Sequence, residues 1–100
     1  MENTKVKSNT IIPAKVASER SYQSVKSDID KCVEELIPII NKAIERACDA
    51  SNYDTEVDIT KYRHLTVLAD TLISKLKAAG YSAKLVDHEP QGYYLYIKWS

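Results

Sequence analysis

The sequence predicts a small α+β domain in which a long N-terminal helix, kinked or unkinked at Pro38, precedes a β-α-β-β unit with a three-stranded, mainly antiparallel sheet. Three observations predict it. Apolar residues recur at three- and four-residue steps from Tyr22 to Ala47, and a second set does so from Leu65 to Ala79. Segments 55–59, 81–86 and 93–99 read as strands, bounded by turn residues. A chain of 100 residues is the size of one domain, and 44% hydrophobic with 28% charged residues is the composition of a chain that folds.

The elements follow in order. Residues 1–12 read as a flexible polar tail, and a single domain spans 13–100, opening at Pro13, whose fixed φ suits a first helical turn. The stripe Tyr22, Val25, Ile29, Cys32/Val33, Leu36, Ile40, Ala43/Ile44 and Ala47 then lies on one helical face. Pro38 sits inside this helix, where it removes a hydrogen bond and crowds the preceding turn, so a kink or break is expected near Glu34 to Ile37. Asp49 to Asp54 is a turn cluster, and Thr55 to Ile59 alternates as a strand. A second helix is expected from about Lys61 to Ala79, with Gly80 placed to end it in a left-handed cap. Tyr81 to Val86 and Tyr93 to Trp99 form a hairpin around the Asp87 to Gly92 turn, which contains Pro90.

A helix from Tyr22 to Ala50 is about 43 Å long at ~1.5 Å per residue, whereas a six-residue strand spans about 20 Å. The helix therefore overhangs its sheet. Its apolar stripe must fold back at Pro38 or be covered by another copy, and the reading favours a homo-oligomer joined through Tyr22, Val25, Ile29, Val33, Leu36 and Ile40. In the last strand, Leu95 and Ile97 share one face with Tyr93 and Trp99, and Tyr94, Tyr96 and Lys98 share the other. If the second helix covers the first of these faces, the opposite one carries Glu56, Asp58, Lys84, Val86, Tyr94, Tyr96 and Lys98. That face is covered by the first helix or another copy, or it is an open aromatic platform.

Composition and spacing argue against several chemistries. The 14 basic and 14 acidic side chains balance, so no global field draws the chain to nucleic acid or anionic lipid, and the middle of the chain is acidic. Nucleic acid is thus disfavoured as a partner. The longest apolar run, Leu36 to Ile40, is far short of the ~20 residues that span a bilayer, and the first ten residues hold no apolar core of a secretory signal. No membrane partner is expected, and a reducing cytoplasm is the expected setting. Cys32 and Cys48 fall on one helix about 24 Å apart, too far for a bridge. His64 and His88 lack metal-ligand spacing, Gly80 and Gly92 cannot build a phosphate loop, and no nucleophile motif is present. The expectation is a protein without catalytic residues, metal or cofactor, which works by binding.

The segments Pro13-Ala14-Lys15-Val16-Ala17, Ile40 to Ala47, Val57-Asp58-Ile59, Ala79-Gly80-Tyr81 and Tyr96-Ile97-Lys98-Trp99 resemble, in order and spacing, small bacteriophage accessory proteins with an N-terminal helix and an aromatic-Ile-x-Trp closing strand. The resemblance covers about residues 13–99. It implies a viral product made in a bacterial cytoplasm that blunts host defence by sequestering a nucleotide signal or by occupying a host protein, or else an accessory virion component. From the residues themselves, Tyr94 and Tyr96 are the candidate stacking groups and Lys84, Lys98, Arg63 and His64 the candidate phosphate ligands for a nucleotide.

Overall fold

The computed structural model describes residues 10–100. Residues 1–9 of the expected polar tail lie outside the described residues, and Thr10 to Pro13 hold no helix or strand. The elements are α1 (Ala14–Asp49), β1 (Asp54–Asp58), α2 (Leu65–Ala78), β2 (Ser82–Asp87) and β3 (Tyr93–Lys98). This is the predicted α+β arrangement.

Helix α1 is one uninterrupted element of 36 residues with Pro38 inside it, so of the kink or break expected near Glu34 to Ile37, no break occurs. Pro38 leaves the Glu34 carbonyl without its helical donor, but both residues are exposed, and water can take the donor's place. At its end, Asn52 N–H bonds Ala47 O at 2.8 Å and Ser51 N–H bonds Cys48 O at 3.0 Å, the two bonds of a Schellman cap. Ser51 occupies the left-handed position, at φ 66°, that glycine usually fills. Helix α2 ends on the same motif with Gly80 in that role, Tyr81 N–H bonding Leu76 O at 2.9 Å and Gly80 N–H bonding Lys77 O at 3.0 Å.

Helix α2 starts four residues later than expected. His64 precedes it in the left-handed region at φ 55°, and Lys61 to Arg63 form a turn instead of a first helical turn. That turn lets Ile59 reach full burial before the chain reverses, because Ile59 N–H continues the ladder to Tyr93 O at 3.0 Å.

The strands form one sheet in the order β1-β3-β2, antiparallel throughout. The hairpin β2-β3 is as predicted, and β1 adds to the far side of β3, which leaves β3 central. Val57, Leu85, Leu95 and Ile97 then point to one face by strand alternation, and both helices lie on it. The core joins Ile29, Val33, Leu36 and Ile40 of α1, Leu68, Ala69, Leu72 and Leu76 of α2, and Val57, Ile59, Leu95 and Ile97 of the sheet. Each fully buried Leu or Ile contributes roughly 1.5–3 kcal/mol.

Four of the residues assigned from sequence to contacts between copies, Ile29, Val33, Leu36 and Ile40, are therefore buried inside this chain. The sheet and α2 cover the middle of α1 unaided, without a fold at Pro38. Val25 is half-buried, and Tyr22 remains 64% exposed. The overhang is confined to the amino end, where every residue from Ala14 to Ser24 is exposed. It draws the molecule out to 63 × 29 × 17 Å with a radius of gyration of 18.2 Å, against about 13 Å for a compact chain of this length.

Candidate functional site

With both helices on one side, the other sheet face is bare. Three rungs cross it: Asp54, Lys98 and Ser82; Glu56, Tyr96 and Lys84; Asp58, Tyr94 and Val86. Charge is sorted across these rungs. The carboxylates lie along β1, the two tyrosines run down the middle on β3, and the lysines sit on β2 and at the end of β3.

The two tyrosines differ in their surroundings. Tyr94 meets the His88 ring edge-on, with centroids 5.1 Å apart, and His88 Nε2 lies 3.0 Å from Glu56 Oε2. His88 belongs to the β2–β3 loop, so that loop crosses from the β2 side to β1 and occupies the Tyr94 end of the face. Tyr96 donates its hydroxyl to Asp54 Oδ2 at 2.8 Å, which fixes the ring while leaving its surroundings open. Lys84 Nζ stands 5.7 Å from the Tyr96 ring centroid, within cation-π range. Accepting the phenol's hydrogen bond, Asp54 raises the Tyr96 pKa above the usual tyrosine value, and burial and the charges of Asp54 and Glu56 add to the effect.

Beside Tyr96 a concavity of about 420 Å³ is lined by Ser82, Ala83, Lys84, Tyr96 and Lys98. Among the described residues, neither Lys84 nor Lys98 makes an ion pair. An aromatic ring, a hydroxyl and two unneutralised ammonium groups thus border one hollow, a combination that can stack a planar group and hold an anion.

Of the candidate ligand residues, Tyr94, Tyr96, Lys84 and Lys98 share this face. Arg63 and His64 do not. They lie in the β1–α2 loop against α1, where Arg63 Nη1 is 3.9 Å and His64 Nε2 3.4 Å from the same Asp28 oxygen. That contact belongs to the helix layer, on the far side of the sheet. Among the described residues the neighbouring Tyr62 hydroxyl, though buried, has no hydrogen-bond partner, and burial, with the nearby Glu35 carboxylate, raises its pKa.

Three residues of the face were not singled out from sequence. Asp54 and Ser82 each lie two residues before a named position, Glu56 and Lys84, so period-two counting extended one step would have found them. His88 had no such signal, because a loop conformation carries it over Tyr94.

The third strand also depends on its flanking turns. Asp58 accepts hydrogen bonds from the Thr60 hydroxyl and, at 2.9 Å, from the Thr60 N–H, and these bonds hold its carboxyl below the usual range. The Thr60 oxygen in turn accepts the Tyr93 N–H at 2.9 Å, which ties the start of β3 to the end of β1.

The fold and face define a class: a two-layer α+β protein with both helices on one side of a three-stranded sheet and a polar aromatic surface on the other. No protein-family model, curated protein or solved structure matches this chain. Among the described residues there is no helix long and apolar enough to cross a membrane and no group of three or more His, Cys, Asp or Glu side chains placed to hold a metal ion.

Proposed function

We propose that this chain is a binding protein that captures a planar, anionic ligand of the nucleotide class at the Tyr96 end of its bare sheet face. The observation that carries the reading is the hollow of about 420 Å³ in which Lys84 and Lys98, without ion pairs, flank the Tyr96 ring. Its size falls in the range of small-ligand sites, roughly 300–1,000 Å³. The base stacks on Tyr96, and the two lysines with Ser82 take the phosphate. The carboxylates on β1 set the polarity, so the phosphate points toward β2 and away from Asp54 and Glu56. In the setting implied by the resemblance to phage accessory proteins, such capture removes a nucleotide signal from a bacterial defence.

Calorimetric titration against linear and cyclic nucleotides tests this. One class should bind, with Lys84→Ala/Lys98→Ala weakening it at least tenfold, Tyr96→Ala doing the same, and Arg63→Ala leaving it unchanged. No heat from any nucleotide refutes the reading. A second reading, an inhibitor that docks on a host protein, is favoured by the acidic column Asp54, Glu56 and Asp58, which suits a basic protein surface. It predicts a complex that Glu56→Lys disrupts and that weakens with salt.

A further inference from the structure

We propose that the outer surface of α1 joins two copies of this chain in an antiparallel, two-fold dimer centred near Asp30. The surface lies on the helix layer, opposite the bare sheet face, so the proposal is independent of any ligand reading.

Along α1, Val16, Tyr22, Lys26, Asp30, Glu34 and Ile37 fall within about 120° of arc at ~100° per residue, an arc that overlaps the edge of the buried stripe at Val33 and Ile40 and runs on from it into solvent. Three of them are large apolar groups left in water, Val16 at 38%, Tyr22 at 64% and Ile37 at 40% exposure, and Val67 of α2 flanks the same side at 50%. The groove between α1 and α2 holds two apolar hollows, one on each side of this centre. One, of about 240 Å³, is lined by Tyr22, Val25, Ile29 and Val67 among others, and one of about 170 Å³ by Ile37, Ile40, Ile44 and Leu72 among others.

A second copy running antiparallel fits this pattern in one register. With Asp30 on the two-fold axis, Lys26 faces Glu34 of the second copy, Tyr22 faces its Ile37 and Pro38, and Val16 reaches its Ile44. The overhanging amino end of each helix, bare in one copy, thus lies over the apolar hollow at the carboxyl half of the other. Each Lys26–Glu34 contact occurs twice by symmetry. The two Asp30 carboxylates meet at the axis, a like-charge contact that weakens the dimer and that Lys26, an i,i+4 partner of each at 4.0 Å, offsets in part. The footprint is about 42 Å long and one helix wide, on the order of 500 Å² per copy, which is the scale of a reversible contact and not a permanent one.

Sedimentation equilibrium across the micromolar range is the test. The expected result is a reversible shift from 11.3 kDa toward twice that mass. Lys26→Glu and Glu34→Lys each weaken self-association at least tenfold, and the double exchange Lys26→Glu/Glu34→Lys restores it to within about threefold, since only this register pairs the two positions. Tyr22→Ser, on the overhanging end where the side chain is 64% exposed, weakens it as well while leaving the thermal unfolding of the dilute monomer unchanged. A single 11.3 kDa species throughout overturns the dimer. A double exchange as weak as the single variants overturns the register.

Discussion

Gly92→Ala is the substitution whose effect can be worked most directly from the geometry. Gly92 has φ +125°, and a Cβ built there would lie 2.2 Å from Thr60 Oγ1, 2.9 Å from its Cγ2 and 3.0 Å from its Cβ. The alanine backbone is strained by about 1–3 kcal/mol. Thr60 must also give way, and with it go its bonds to Tyr93 and Asp58, at about 1 kcal/mol each. The total is about 3–5 kcal/mol. Thr60→Ala alone removes those bonds and costs about 1–2 kcal/mol. In the double variant the Oγ1 and Cγ2 clashes are gone and the bonds cannot be lost twice, so the pair costs about 1–2 kcal/mol less than the sum. Urea unfolding followed by far-ultraviolet circular dichroism measures all three. Additivity to within ~0.5 kcal/mol, or a Gly92→Ala cost under ~1 kcal/mol, refutes the idea that this contact pins the start of β3.

Other outcomes follow from the same geometry. Ser51→Gly removes a side chain from a left-handed position at φ 66° and should raise stability by about 0.5–1 kcal/mol, read as a higher melting temperature. Pro38→Ala restores the bond to the Glu34 carbonyl and should stabilise by about 2 kcal/mol in the same assay, with helix content unchanged or higher. Tyr96 has a folded-state pKa above the unfolded value, so its contribution to stability is complete below about pH 10 and is lost as pH rises through the folded value. Titration of tyrosinate absorbance should show two late-ionising phenols, Tyr62 and Tyr96, one of which is lost in Tyr96→Phe and ionises earlier in Asp54→Asn.

Periodicity carried most of the fold. The apolar stripes of α1 and α2, the alternation around Leu95 and Ile97, and Gly80 as a cap fix what each segment becomes, since these signals are local. Two features were not local. Whether Pro38 breaks a helix depends on whether water reaches the Glu34 carbonyl, which is a matter of tertiary exposure and not of spacing. Which side of the sheet α1 takes depends on its packing beside α2, and the same fact turned Ile29, Val33, Leu36 and Ile40 from surface for another copy into core. The candidate site divided along the same line. Tyr94, Tyr96, Lys84 and Lys98 came together because strand alternation is legible, whereas Arg63 and His64 were separated from them by the β1–α2 turn. His88 reached Tyr94 through a loop that no period describes.

Placing both helices on one side of β3 has a consequence for change over generations. Folding makes few demands on positions 82, 84 and 98, whose exposed side chains meet no other layer of the chain. Their identities can be exchanged at small thermodynamic cost, so the scaffold can be retuned to a new target by altering one surface while its interior stays as it is.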